Sequence, residues 1–137
     1  MKIAILYRSM TGHSKKIARA IGAELNVEPL NVKKKPLIDG ADLAFIIGGL
    51  YSGKSLPEMT QYVKSLTPQM VKQVALITSS AQNKTGQDQV RAILESNQIK
   101  VIDEYRCIGN FLFIKMGRPN KKEIVGAVKF AKGIAGR

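Results

Sequence analysis

Hydrophobic positions along this chain alternate between short runs and helical spacing. Apolar runs at 2–7, 43–47, 71–78 and 99–108, with a shorter segment at 27–32, predict five strands. Runs with few polar positions are typical of strands that a parallel sheet buries on both faces. Elsewhere, apolar residues recur every three or four positions, which predicts four amphipathic helices. The predicted buried residues of these helices are Ile17, Ala18, Ile21 and Leu25; Met59, Tyr62, Val63 and Leu66; Val90, Ile93 and Leu94; and Ile124, Ala127, Val128, Ala131 and Ile134.

Polar residues mark where the helices begin. Ser14 is the predicted N-cap of the first helix, and Ser55-Leu56-Pro57-Glu58 and Thr85-Gly86-Gln87-Asp88 each match a capping box. The final helix opens at Asn120-Lys121-Lys122-Glu123, whereas the polar stretch Lys33-Lys34-Lys35-Pro36 separates the second and third strands. Strands alternating with helices imply right-handed crossovers, and therefore an α/β domain whose parallel sheet is covered on both faces.

Length and composition narrow the class of protein. With 137 residues and 45% hydrophobic content, the chain fits a single domain, 1–137, with a core of ordinary size. One cysteine, Cys107, and one histidine, His13, exclude an internal disulfide and leave too few ligands for a transition metal. The apolar run at 3–7 is too short for a signal peptide core or a membrane span, so a reducing cytoplasm is the expected location. Cys107 is expected to be a small buried residue at the sheet edge.

The loop after the first strand, 9–14, has the composition of a phosphate site. Ser9, Thr11 and Ser14 offer hydroxyl groups, and Gly12 permits a tight turn before the helix. Backbone N–H groups at a helix start have no intrahelical partners, and the helix dipole adds partial positive charge there. The alternative interpretation is an ordinary strand-to-helix turn, in which His13 contributes only its backbone.

This segment resembles the phosphate-binding signature of the flavodoxin family. The family signature is an apolar strand end with an aromatic residue, a hydroxyl loop with glycine, and then a hydroxyl residue, here Ser14, and a spaced alanine. The resemblance implies an α/β, three-layer flavodoxin-like fold with a five-stranded parallel sheet of order 2-1-3-4-5, helices on both faces, and noncovalently bound FMN. The residues that match are Ile5, Leu6, Tyr7, Ser9, Gly12, Ala18 and Ile21.

The resemblance also implies three cofactor-binding loops. The first would hold the FMN phosphate, the second would place Leu50 and Tyr51 against the isoalloxazine ring, and a carbonyl at Ser52-Gly53 would accept a hydrogen bond from the reduced ring. The third loop contains no aromatic residue, so the other ring face is open or is covered by Phe111 or by a partner. Tyr51 could instead only cap the edge of the core. The implied cofactor-binding residues are Ser9, Met10, Thr11, Gly12, His13 and Ser14; Leu50, Tyr51, Ser52 and Gly53; and Ser79, Ser80, Ala81, Gln82 and Asn83.

A second motif competes with this interpretation. Residues 48–55 satisfy the G-x-x-x-x-G-K-[ST] pattern of a nucleotide P-loop. A P-loop protein also needs an aspartate at another strand end for magnesium, but Tyr7, Thr78 and Cys107 occupy those ends. A receiver domain is excluded because it needs acidic residues where Arg8 and Gly48 stand. P-loop nucleotide binding therefore stays an alternative.

The net charge of +12 is concentrated at the two ends of the chain. In the flavodoxin-like order the first and last helices cover one sheet face, which would gather their basic residues into one surface. Such a surface suits an acidic redox partner, while no nucleic-acid-binding motif is present. The apolar run Phe111-Leu112-Phe113-Ile114-Lys115-Met116 suits core packing or peripheral docking on a partner or membrane. The residues of the expected basic surface are Lys15, Lys16, Arg19, Lys121, Lys122, Lys129 and Lys132.

The function that follows is electron transfer by bound FMN between a reductase and an acceptor enzyme. No residue is expected to act as a catalytic acid, base or nucleophile, and no metal site is expected. Two alternatives remain: an FMN-dependent oxidase or dehydrogenase of a porphyrin or quinone, and a flavin-free basic adaptor.

Overall fold

The computed structural model describes residues 1–51, 53–79, 86–107 and 121–137. The strands are β1 (Ile3–Arg8), β2 (Pro29–Asn31), β3 (Ala41–Gly48), β4 (Val71–Thr78) and β5 (Lys100–Arg106). The helices are α1 (His13–Leu25), α2 (Pro57–Lys64), α3 (Asp88–Ser96) and α4 (Lys121–Ala135), with a 3₁₀ helix at Val32–Lys34. None of the helices in these ranges is long and apolar enough to cross a membrane.

The five strands form one parallel sheet in the order β2-β1-β3-β4-β5, which confirms the predicted fold class and strand order. β3 is central and nearly continuous in apolar residues, as a strand buried on both faces should be. β2 spans three residues rather than the predicted six. It lies at the sheet edge, where Pro29 is tolerated although it has no N–H to donate.

Side chains from alternate strand positions build a core on each face of the sheet. On one face, Ile5, Phe45 and Ile77 pack against α1 and α4. On the other, Leu6 and Ile46 pack against α2 and α3. The predicted helix periodicity is confirmed, because most of the helix residues that were predicted to be buried are buried. Those partly buried are Leu25, Ile93, Ile124 and Val128.

The predicted N-caps of α1, α2 and α3 are wrong, whereas α4 begins at Lys121, within the predicted opening at 120–123. Gly12, with φ 91°, is the N-cap of α1, and Ser14 is the second helical residue. Leu56 precedes α2 because Pro57, whose fixed φ suits a first helical position, begins it. Gln87 precedes α3 because its side chain is used elsewhere, as described below. None of these three caps makes a side-chain capping bond.

The connection from β2 to β3 has no α-helix. It must pass over β1, which lies between those two strands, and it does so in the nine residues between Asn31 and Ala41. A crossover between parallel strands is usually longer and helical. The Tyr62 hydroxyl on α2 donates a hydrogen bond of 2.7 Å to the Pro36 carbonyl and so fixes this connection. Burial raises the pKa of Tyr62 to about 12.

Replacing Tyr62 with phenylalanine tests this anchor. Tyr62→Phe keeps the ring and removes the hydrogen bond, so the free energy of unfolding at pH 7 should fall by about 1 kcal/mol. The raised pKa stabilises the wild type fully below pH 10, and this contribution is lost as the pH rises from 10 to about 12. The stability difference between wild type and variant should therefore shrink across that window in urea denaturation. A difference that stays constant would contradict the assignment.

Candidate functional site

The carboxyl ends of β1, β3 and β4 lie side by side at one edge of the sheet. Arg8 pairs with Gly48, and Gly48 pairs with Thr78, so the three strands end in one row. The Ser79 N–H donates to the Gly48 carbonyl at 2.8 Å, which continues the contact beyond the strands. Open α/β sheets bind ligands at this edge.

The loop from Ser9 to Gly12 is held by its own side chain. The Gly12 N–H donates to Ser9 Oγ at 2.7 Å, and the left-handed Gly12 turns the chain into α1. The first turn of α1 has no acidic residue, so no carboxylate on that turn competes for its N–H groups. Met10 and Thr11 are exposed at the loop tip. A tight loop followed by a helix start free of acidic residues fits a phosphate group.

Ser14 points inward instead of toward the loop tip. Its side chain is buried, and its Oγ lies 2.7 Å from Ser79 Oγ. This bond joins the start of α1 to the chain that leaves β4, so the structure brings the first and third predicted loops together. Ser79 is the part of the third loop that the structure describes; Ser80, Ala81, Gln82 and Asn83 lie outside the described residues, as do Phe111 and Met116.

The second loop brings Tyr51 to the first. Its hydroxyl accepts a hydrogen bond from the Met10 N–H at 3.3 Å, and the preceding Leu50 is buried. Tyr51 and Lys54 exchange backbone hydrogen bonds of 2.8 and 3.1 Å, which makes a tight turn with Gly53 at φ 76°. Ser52 lies outside the described residues. The half-buried Tyr51 ring therefore stands between two of the predicted cofactor loops.

The same geometry argues against a P-loop at 48–55. A P-loop wraps phosphates with free backbone N–H groups, but the N–H groups of Tyr51 and Lys54 are bonded to each other's carbonyls. The Ser55 N–H donates to Gln89 Oε1 at 3.0 Å. No strand in the described part of the chain ends in an acidic residue that could help to hold magnesium. The sequence motif is met, but its backbone is not arranged for a nucleotide.

Arg8 was not identified from the sequence as a site residue. Its guanidinium donates to the Ser9 carbonyl, and its Nε lies 3.4 Å from Glu58 Oε1 on α2. Arg8 thus ties the start of the first loop to the helix that follows the second. A charged residue directly after a buried strand, at the edge where ligands bind, was the available signal.

Gln87 is a second residue that the sequence did not reveal. Its side chain is 1% exposed, and its Nε2 donates to the carbonyls of Ile46 and Ile77 at 3.2 and 2.9 Å. It therefore bridges β3 and β4 just before their carboxyl ends. Its N–H donates to Glu104, whose carboxylate also pairs with Arg91 at 2.9 Å. Nothing local distinguishes a bridging glutamine from a surface one.

Two further pKa shifts lie away from the three loops. Burial raises the pKa of Tyr105, which packs against Phe130, and a hydrogen bond from the Lys2 backbone N–H lowers the pKa of Asp42 at the start of β3. Across the described ranges, no group of three or more histidines, cysteines and carboxylates could hold a metal ion. Cys107 is buried, and its N–H donates to the Thr78 carbonyl at 2.8 Å.

The expected pairing of the first and last helices is confirmed, since α1 and α4 pack on the same face of the sheet. Lys132 on α4 reaches Glu24 on α1, with Nζ 2.9 Å from Oε1. The side chain of Lys121 lies outside the described residues. The exposed basic residues of these two helices, here called the basic surface, are Lys15, Lys16, Arg19, Lys122, Lys129 and Lys132.

Comparison with known proteins gives one family and one fold. A family model described as a flavodoxin domain matches residues 4–132. No curated protein sequence matches the chain. A flavodoxin from the domain Archaea superposes with a TM-score of 0.72 at 18% identity, covering 98% of this chain and 96% of that one. Oxidised flavodoxin 2 from Bacillus cereus gives 0.68 at 14% identity, covering 98% of each chain.

A flavoprotein from Lactobacillus acidophilus NCFM, solved in complex with FMN, gives a TM-score of 0.56 at 18% identity. It covers 77% of this chain and 92% of that one. At such low sequence identities the superpositions show only a shared fold. The relationship of this chain to a protein family rests on the family model.

Gly12 should tolerate substitution poorly for backbone reasons alone. A Cβ at Gly12 would meet nothing within 4 Å, so Gly12→Ala isolates the strain of φ 91° and should lower the free energy of unfolding by about 1–2 kcal/mol. Gly133→Ala is the matched control, because Gly133 lies in α4 with equally open space. There alanine should stabilise by up to about 1 kcal/mol. Urea denaturation of both variants measures the contrast, and equal effects would contradict it.

The bond between Ser14 and Ser79 should appear as an energetic coupling. A double-mutant cycle of Ser14→Ala and Ser79→Ala should give a coupling of about 1 kcal/mol in unfolding free energy. The control cycle pairs Ser14→Ala with Ser65→Ala, because Ser65 Oγ donates to the Tyr62 carbonyl on the other face. That pair should be additive. Additivity of Ser14 and Ser79 would show that their contact contributes nothing.

Proposed function

The chain belongs to the flavodoxin family, and from this premise we propose that it binds FMN at the three loops and passes electrons between a reductase and an acceptor enzyme. The family and its shared fold support FMN as the cofactor. When bound, FMN supplies the electron-transfer chemistry, and the protein supplies placement and electrostatics. The single domain, 1–137, would work in a reducing cytoplasm, which suits a chain with one buried cysteine.

The observation that carries the proposal is the first loop. Ser9 orders it by accepting the Gly12 N–H, so Ser9 acts chiefly as a positioning residue. The N–H groups in the first turn of α1 and the exposed Thr11 would then bind the phosphate oxygens. Met10, His13 and Ser14 complete this binding segment. The partial positive charge of the helix start favours a dianionic group there.

The second and third loops would hold the ring. Tyr51 offers an aromatic face, and the bond from the Met10 N–H to the Tyr51 hydroxyl fixes the ring's direction. The preceding Leu50 is buried. The turn at Ser52-Gly53 would present a carbonyl to the ring edge. The third loop would flank the ring with Ser79, Ser80, Ala81, Gln82 and Asn83.

The proposed role is electron transfer rather than acid–base catalysis. The basic surface begins at Lys15, two residues into α1 from its start at His13, and so adjoins the loop proposed to bind the cofactor. Charges close to the site of electron transfer steer a partner of opposite charge into a productive encounter. Redox partners with acidic docking surfaces would therefore associate fastest at low salt.

The proposal is tested by titrating the purified protein with FMN and with riboflavin, which lacks the phosphate. Tyr51→Ala should weaken both ligands by about two- to tenfold, because it removes stacking worth about 0.5–1.5 kcal/mol. Ser9→Ala should weaken FMN about fivefold through loss of one hydrogen bond, and should leave riboflavin unchanged. Ser65→Ala, at the C-terminal end of α2, is the control and should change neither. Flavin fluorescence quenching measures all four proteins.

Three outcomes would redirect the assignment. Magnesium-dependent ATP binding without FMN binding would make 48–55 a P-loop after all. Binding of neither ligand would favour an adaptor that has kept the fold without the cofactor. FMN binding with turnover of a porphyrin or quinone in the absence of a partner protein would make the chain an oxidase or dehydrogenase.

A further inference from the structure

A groove lies on the sheet face opposite the basic surface, between α2 and the helix-free connection from β2 to β3. Its volume is about 370 Å³. Val32 and Tyr62 form its buried floor, and Pro36, Leu37 and Met70 add further apolar lining. Leu37 is 92% exposed, so its apolar side chain is open to contact at the edge of the groove.

The groove results from the missing crossover helix. Parallel strands are usually joined by a helix that packs on the sheet, and here nine residues make the passage over β1. The 3₁₀ helix Val32–Lys34 and the segment after it cover the edge of the sheet without filling the space beside α2. The vacant space therefore lies where a helix parallel to the sheet would pack.

The rim of this groove is positively charged. Lys33 and Lys35 line it and are exposed, and Lys34 lies between them. Glu58 is the one carboxylate among the lining residues, and it is paired with Arg8 at 3.4 Å. The acidic charge is thus already neutralised by Arg8, whereas among the described residues neither Lys33 nor Lys35 forms an ion pair.

The backbone at Lys35 supports the same interpretation. Lys35 has φ 51°, in the left-handed region where asparagine or glycine would be less strained. Its N–H donates to the Val32 carbonyl at 2.9 Å and ends the 3₁₀ helix there. The turn itself requires only a residue that tolerates this conformation, and a lysine in that position adds a cation to the rim.

We propose that this groove is a docking site for an acidic amphipathic helix of a partner protein. The helix would insert apolar side chains beside Leu37 and over Tyr62, and its carboxylates would face Lys33 and Lys35. Helix-in-groove recognition of this kind needs an apolar floor for anchors at helical spacing and a charged rim for orientation. None of the residues that line the groove is among those proposed to bind FMN.

The test uses a fluorescein-labelled, helix-forming peptide with leucines every third or fourth residue and glutamates between them. Fluorescence anisotropy should show saturable binding to the wild type, equal with and without FMN. A peptide with lysines in place of the glutamates, and one with alanines in place of the leucines, should bind at least about tenfold more weakly. Equal binding of the alanine peptide would overturn the proposal by leaving only nonspecific charge attraction.

Variants locate the binding. Leu37→Ser changes an exposed side chain and leaves the core intact, and it should weaken the acidic peptide about tenfold. Lys33→Glu combined with Lys35→Glu should weaken it at least as much. Lys100→Glu reverses an exposed lysine on β5, at the sheet edge opposite β2 and outside the basic surface, and should change binding by less than about twofold.

Two results would overturn the assignment to a partner helix. One is a Lys100→Glu variant that weakens the acidic peptide as much as the groove variants do. The other is a wild type that self-associates in sedimentation velocity while Leu37→Ser does not, because the occupant would then be a second copy of this chain. The peptide titration is run with and without FMN, so it can still be interpreted if the protein fails to bind flavin.

Discussion

The structure depends on β1, β3 and β4 running parallel and ending in one row. Arg8, Gly48 and Thr78 occupy equivalent register positions, so the loops that follow begin from one line at one sheet edge. This register is fixed by the core, because a slip of one residue would exchange the β3 side chains that pack on one face of the sheet with those that pack on the other. Helix α1 then directs its positive end toward that edge. The candidate site is thus a consequence of how the sheet is buried, and its polar residues refine a position that the core sets.

Much of the fold could be predicted from the sequence, because the spacing of apolar residues indicates which segments form strands and which form helices. Apolar runs located all five strands, and the helical spacing identified which residues of each helix are buried. The strand order came from the resemblance to flavodoxins, since periodicity alone does not say which strands are neighbours. The edge strand β2 was overestimated in length because apolar residues also flank it on both sides, with Val27 before the strand and Val32 in the 3₁₀ helix after it.

The helix starts and several site contacts could not be predicted, because the polar side chains involved form hydrogen bonds with residues that are distant in the sequence. Ser14 bonds to Ser79, 65 residues away, and is unavailable as a cap. Gln87 bridges the carbonyls of Ile46 and Ile77, which are distant in sequence from each other and adjacent in the sheet. Local rules assign a hydroxyl or an amide to its nearest free N–H, and they fail where the fold supplies a better-placed partner. These failures cluster at the strand ends, where the site is built.

Acidic and basic residues have different places in this structure. Acidic residues are largely occupied within the fold: Glu58 pairs with Arg8, and Glu104, whose side chain is 6% exposed, pairs with Arg91 and Arg106. Exposed ion pairs contribute little stability, but a buried carboxylate needs its cations. With acids used in this way, the net charge of +12 is carried by exposed lysines and arginines on both faces of the sheet. A self-repelling surface of this size lowers the stability of the compact state, opposes self-association and attracts molecules of negative charge.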